Sequence, residues 1–443
     1  MIHIAPQLFE DVLLADIRSR FHHVDWCPIV REPRIFFENG GGSLKLKAAI
    51  AASAEVEALP DQEGRDNPAS AHLTRLLDQG REDLHLLFGS CELGDARGQV
   101  ISGETGTRLL YRLIRTLALA LDPGPIICST LEHPASLDAA RQWAHNTGRR
   151  LIEVPFDAMT GVMTAAHYAE AVTPDTRIAT VIHTSMLTGF VADLPAICAA
   201  IRAVSPDCFI VVDGIQHAAH GALTVAEYGA DAYVFSPYKA FSRLSLGFAW
   251  INDRLHAVPH EHMLGKPGAD WELGSRDPAF YAAQSAVVSY VCWLGRHFTS
   301  SDDRLVQLRA GSQAMAAHEA ALVSLLIDGD DRHPGLAHFD DITLVGPPSS
   351  RGREGLVSFT LEGTDSATLV QQFAHFGIRV HARQSDGYSG HILGALGLSD
   401  CLRVSLSHYN TPQEVRQFLS ALEQIRHQRG SSEARASRRA AKG

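Results

Sequence analysis

A long apolar run is what this chain most plainly lacks. Its greasiest stretch, Leu117-Ala-Leu-Ala-Leu121, is too short to cross a bilayer and stands beside Arg115 and Asp122, so no membrane partner is expected. An excess of positive charge is missing too. The formal net charge is −11 at pH 7, which speaks against a nucleic-acid partner. Cysteine is sparse and scattered: seven thiols, at positions 27, 91, 128, 198, 208, 292 and 401, form no CxxC pair. That is the pattern of reduced thiols in a cytoplasmic protein. No basic start followed by an apolar core opens the chain, so no secretory signal is expected.

What the chain does have is length and alternation. With 443 residues, 45% of them hydrophobic and 20% charged, it can bury a large core in two or three domains. From about residue 100 to 252 helical and strand patterns alternate. Leu109, Leu110, Leu113, Ile114 and Leu117 recur at helical spacing over 103–121, and Leu194 to Val204 reads as another helix. Short apolar runs at 125–128, 151–154, 178–182, 208–212, 232–235 and 246–251 read as strands. This predicts an α/β fold with a mostly parallel sheet covered on both faces. After about residue 300 the pattern changes. A long helix over 303–325, strands at 342–345, 356–360, 378–381 and 402–405, and helices at 366–376 and 411–427 predict a smaller α+β C-terminal domain. The expected division is an N-terminal segment 1–30, a large domain 31–300, a small domain 301–428 and a disordered tail 429–443.

Two strands carry chemistry at their ends. Val211-Val-Asp213 and Ala232-Tyr-Val-Phe-Ser-Pro-Tyr-Lys239 each run from apolar into polar residues, so Asp213 and Lys239 are predicted to emerge at one edge of the sheet. A lysine that forms a Schiff base and an acid that keeps a pyridine nitrogen protonated are the two groups a pyridoxal phosphate (PLP) enzyme needs. Weaker signals surround them. Gly103, Glu104 and Thr105 open a helix whose free amides suit a phosphate or a plain cap. His133 stands at another helix start. Asp213, His217 and His220 have the spacing of metal ligands, but no HExxH accompanies them and the metal reading is not adopted. Arg403, a charge inside an apolar strand, requires a carboxylate partner, from a substrate or from the chain itself.

In order and spacing these stations resemble the class V aminotransferase superfamily of fold-type I PLP enzymes, in the branch of cysteine desulfurases and C–S lyases. The likeness runs over roughly residues 30–428. It is strongest at Val212-Asp-Gly-Ile-Gln-His-Ala-Ala-His220 through Lys239, and at Arg403-Val-Ser-Leu-Ser-His-Tyr-Asn-Thr411. The resemblance implies a large PLP-binding domain, a smaller C-terminal domain and a homodimer. It implies Lys239 as the Schiff-base lysine, Asp213 on the ring nitrogen, Gln216 on the ring hydroxyl and His133 on the ring face. Gly103, Glu104 and Thr105, with Ser236 and Tyr238, would hold the phosphate, and Ser275 would reach the phosphate across the dimer. Arg403 would clamp the carboxylate of an amino-acid substrate, with Asn39 beside it.

Three departures matter. Tyr238 stands where the family usually has His before the lysine, and Met186 where it often has Asn. The loop His381-Ala-Arg-Gln-Ser-Asp386-Gly-Tyr-Ser-Gly390 has no thiol where desulfurases carry their sulfur-accepting cysteine. The implied activity is therefore β-elimination of the C–S lyase type, with Asp386, Arg383 or Tyr388 contacting the substrate side chain. The alternative is a class V aminotransferase or an amino-acid epimerase or racemase. A non-enzymatic scaffold would have lost Lys239.

Overall fold

The computed structural model describes residues 5–268 and 270–440. At its centre lies a seven-stranded sheet. Its strands are β1 (Gln99–Gly103), β2 (Ile126–Ser129), β3 (Leu151–Val154), β4 (Ile178–Ile182), β5 (Phe209–Asp213), β6 (Ala232–Phe235) and β7 (Gly247–Ile251), in the order β1-β7-β6-β5-β4-β2-β3. Neighbours from β3 to β6 are parallel, and β7 runs antiparallel between β6 and β1. Every residue of β2, β4, β5, β6 and β7 is buried, as a sheet covered on both faces requires.

Local chemistry sets the helices that flank the sheet. Helix α1 (Gly106–Ala120) starts where the Thr105 side chain accepts from Arg108 N at 3.0 Å. Its Leu109, Leu110, Leu113, Ile114 and Leu117 form the buried stripe, each worth about 2 kcal/mol of transfer free energy. Helix α2 (Pro134–Thr147) starts with His133 accepting from Ala135 N (3.0 Å) and Pro134 in the first turn, and stops at Gly148 in the left-handed region.

A second, antiparallel sheet follows: β8 (Ile342–Val345), β9 (Leu356–Leu361), β10 (His381–Gln384) and β11 (Asp400–Ser405), in the order β8-β9-β11-β10. It has its own core, built on Phe359, Leu369, Phe373, Leu402, Val404, Phe418 and Leu422. Phe37 belongs to this core too. Ile35–Phe36 pairs in parallel with Ile378–Arg379, and Glu38 bridges to Ser405. The long helix Arg304–Asp328 joins both cores, with Leu308 and Met315 in the first and Leu322 to Ile327 in the second.

Three differences from the expected elements have physical reasons. The run 378–381 is two pieces, because Ile378–Arg379 bonds to the N-terminal segment while His381 onward turns to pair with β11. Side-chain alternation is continuous through Val380; only the hydrogen-bond partner changes, and periodicity does not report partners. The helix Pro278–Gly295 was not anticipated. It is apolar on nearly all sides and packs among helices Lys47–Glu57, Pro68–Phe88 and Arg304–Asp328, so it lacks a polar stripe. The last helix does not stop near residue 427 before a disordered tail. It spans Pro412–Ala440, through a stretch rich in Ala and Arg that sustains helix once Gly430 is passed. Residues 441–443 of the expected tail lie outside the described residues.

A Cβ on Gly295 would stand 1.8 Å from the Gln307 carbonyl, so helices Pro278–Gly295 and Arg304–Asp328 touch backbone to backbone. Gly295→Ala is expected to destabilise the fold by about 1–3 kcal/mol, read as a lower urea midpoint at unchanged slope. An unchanged midpoint would contradict this contact.

Candidate active site

The carboxyl ends of the sheet strands gather the polar groups. Asp213 is the last residue of β5, and Lys239 follows β6 by one short turn in which Lys239 N donates to Ser236 O (3.1 Å). Both side chains are buried. Lys239 Nζ donates to Gln216 Oε1 at 2.8 Å. Gln216 is fixed in turn: its Nε2 donates to His220 Nε2 (3.2 Å), and His220 Nδ1 lies 2.6 Å from Glu319 Oε2. Asp213 Oδ1 accepts from Ile215 N (3.1 Å), while Oδ2 is buried with no partner.

Loss of water sets the electrostatics. Burial pushes the Lys239 amine down to about 7, with the Arg403 guanidinium adding to the shift. Burial pushes the Asp213 carboxyl up to about 6. His133 is pushed down to about 3 by burial and then by Lys239, so its imidazole is neutral. Beside it, Glu132 is fully buried and pushed up to about 8 by desolvation. It accepts from Ile182 N (2.7 Å) and Ser136 Oγ (2.6 Å), which fixes the His133 loop to the end of β4.

Backbone crowding shapes one end of the site. A Cβ on Gly106 would meet Ser236 Oγ at 2.5 Å, so that hydroxyl lies against the first turn of α1. Gly103, Glu104 and Thr105 precede this turn, with Glu104 and Thr105 exposed. Tyr238 packs against Gly42, and its carbonyl accepts from Lys45 Nζ (2.7 Å). At the other end is Arg403, fully buried, with Nη1 donating to Met186 O (2.9 Å) and Nε unpartnered.

Other expected residues are placed differently. The Asn39 amide is occupied by its own chain: it donates to Phe36 O, Ser405 O (2.8 Å) and Asn410 Oδ1, and accepts from the Tyr409 hydroxyl. It braces the turn whose Gly40 lies against the Arg403 guanidinium. Asp386 is exposed, and its Oδ1 accepts from Tyr388 N and Ser389 N, both at 2.8 Å. Ser275 is exposed, shortly after Glu272, whose carboxylate accepts from Ser102 N (2.9 Å). His217 and His220 face glutamates, Glu354 and Glu319 respectively. Those two glutamates escaped sequence reasoning. Glu319 sits within an ordinary helical pattern, and only its burial marks it.

A family profile for Aminotransferase class-V matches residues 35–418. The chain belongs to the class-V aminotransferase family. A probable cysteine desulfurase of Pseudomonas putida is 30% identical over 332 residues, covering 74% of this chain and 78% of that protein. An aminotransferase-like protein of Gibberella zeae is 27% identical over 431 residues, covering 93% and 98%. Among solved structures, a cysteine desulfurase from Thermococcus onnurineus superposes with a TM-score of 0.77 at 18% identity, covering 95% of this chain and 99% of that one, which establishes the fold-type I architecture.

Class-V aminotransferases are PLP-dependent enzymes. The residues of this class-V family member fit the cofactor. The unpartnered, buried Asp213 oxygen is the acceptor that a protonated pyridine nitrogen satisfies, and such an atom otherwise costs about 1–3 kcal/mol. A buried amine with a depressed pKa suits condensation with an aldehyde, and a hydroxyl beside a helix start suits a phosphate. No described helix is long and apolar enough to cross a membrane.

Only the neutral amine condenses. The rate at which free PLP attaches to the cofactor-free enzyme should rise about tenfold per pH unit below about pH 7, where Lys239 loses its proton, and level off above it. Stopped-flow absorbance checks this, with Lys239→Ala as control. A rate still climbing toward pH 10 would contradict the depressed amine.

Proposed function

We propose that this enzyme eliminates a substituent, sulfur-linked in the first instance, from Cβ of an amino acid, giving a keto acid and ammonia. One observation carries the choice. The Lys239, Asp213, Gln216 and Arg403 set is intact, while the loop over 381–390 holds no thiol and Cys401 is fully buried, its thiol pushed up to about 12 by desolvation. A persulfide route needs an accessible thiolate; elimination does not.

PLP, when bound, supplies an electron sink that acidifies the Cα–H of an amino acid joined to it through the amine. Asp213 would hold the ring nitrogen protonated, Gln216 would meet the ring hydroxyl, and His133 would lie on the ring face as a neutral imidazole. Ser236, with the amides of Gly103, Glu104 and Thr105, would take the phosphate, and Tyr238 would stand beside it. In a homodimer, Ser275 would serve the partner's phosphate. Arg403 would anchor the substrate carboxylate, orienting Cα toward Lys239, whose free amine would take the proton. Asn39 would act by bracing the Arg403 loop, and Asp386 by shaping the 386–390 turn. An aminotransferase or an epimerase would use the same groups and differ only in where the proton returns.

Proton NMR in D₂O with the loaded enzyme and a panel of L-amino acids separates these outcomes. A keto acid formed together with a released side chain, without a keto acceptor, is expected. Turnover only with an added keto acid, or Cα exchange alone, would replace elimination by transamination or epimerisation. Arg403→Gln should raise KM on the order of 100-fold, since about 3 kcal/mol rests on a desolvated carboxylate–guanidinium pair. A KM within threefold of the parent would remove Arg403 from the substrate.

A further inference from the structure

Four side chains form one line of hydrogen bonds that starts at the amine and ends well away from it. Lys239 Nζ donates to Gln216 Oε1 (2.8 Å), Gln216 Nε2 lies 3.2 Å from His220 Nε2, and His220 Nδ1 lies 2.6 Å from Glu319 Oε2. All four residues are buried. Glu319 comes from the long helix Arg304–Asp328, between Met315 in the first core and Leu322 in the second. A Cβ on Gly355 would stand 3.1 Å from Glu319 Oε2 and 3.3 Å from His220 Cε1, so the backbone entering β9 closes over this pair.

Such a line can run in either direction, and its far end decides which. An ionised carboxylate only accepts, so Glu319 takes the Nδ1 proton and leaves His220 Nε2 bare. A bare Nε2 takes an N–H from Gln216, which turns the amide oxygen toward Lys239. The amine donates to that oxygen, and its lone pair is left free. In the opposite direction a Gln216 N–H would point at the amine and occupy the lone pair. That lone pair is what attacks an aldehyde and what takes a proton from Cα. Burial pushes the His220 imidazole down, but Glu319 and then Glu354 lift it above its ordinary value, with Lys239 opposing them. Burial pushes the Glu319 carboxyl up, with His220 opposing it. The other titratable neighbours are His217 on the same turn, which faces Glu354, and His408, which burial holds neutral. The direction therefore holds on the alkaline side, where the ring is neutral and the acid ionised.

We propose that Glu319 is a positioning residue for Lys239, acting through His220 and Gln216 to keep the amine a donor and its lone pair free. The charges that bear directly on the amine are those of Arg403, Asp213 and Arg383, so Glu319 works through the line and not through its own field. This rests on Lys239 as the amine that joins PLP, and not on which reaction follows.

The test is the stopped-flow rate at which PLP attaches to the cofactor-free enzyme on the alkaline plateau, where the amine is neutral throughout. Glu319→Gln ends the line in a group that donates as well as accepts, so both directions become available. The plateau rate should then fall about threefold to tenfold. Glu319→Asp keeps the acceptor-only end and should retain more of the rate. In a Gln216→Leu background, which has no amide to turn, Glu319→Gln should change the rate by less than about 1.5-fold. Circular dichroism checks that the variants are folded. If Glu319→Gln is not, His220→Leu breaks the same line and should give the same fall, again only when Gln216 is present. No fall, an equal fall in both backgrounds, or an equal loss from Glu319→Asp would overturn the proposal and leave the lysine assignment standing. Attachment that survives Lys239→Ala would remove that assignment and this inference with it.

Discussion

A buried amine and a buried carboxylate at one sheet edge, neither in an ion pair among the described residues, are the constraint on which the rest of the structure depends. Lys239 bonds to a neutral amide, and one oxygen of Asp213 bonds to nothing. Removing two ionisable groups from water without pairing them is unfavourable, and the depressed amine and raised acid express that directly. The arrangement is sensible only around a ligand that brings a cation to the acid and an aldehyde to the amine. PLP is that ligand. The parallel pairing of β5 with β6 delivers both groups, and the Gln216–His220–Glu319 chain holds the amide to which Lys239 donates.

The second constraint is the join between the two cores. Arg403 grows from the smaller sheet, yet its anchor is a carbonyl that follows β4 of the larger one. The N-terminal segment secures this join. Phe37 fills the smaller core, Asn39 ties the turn to Ser405 and Asn410, and Gly40 leaves room for the guanidinium. The position of the Arg403 guanidinium is therefore set by contacts spread over most of the chain. Small changes in how the two sheets meet would move Arg403 relative to Lys239.

Much of this was legible in the sequence, for definite reasons. Asp213 and Lys239 could be placed because fully buried parallel strands read as short apolar runs whose first polar residue marks the strand end. Helix α1 could be placed because its leucines keep the helical period and Thr105 caps it. Other features were not legible. Pro278–Gly295 is buried on nearly every side and so has no stripe to read. Val380 separates two strands that share one alternation but pair with different partners. Motif position alone places Asn39 beside the substrate, whereas in the fold its amide is occupied by partners more than 360 positions away in the chain. Glu319 and Glu354 gain meaning only from the histidines that the fold brings to them.

The contact between Asp213 and the ring nitrogen decides how this site works. Nitrogen NMR of the enzyme loaded with PLP labelled at that atom reads its protonation directly. A protonated ring nitrogen across the neutral pH range in the parent enzyme, and a neutral one in Asp213→Asn, are expected. A neutral nitrogen in the parent, or a signal that Asp213→Asn does not change, would contradict that contact.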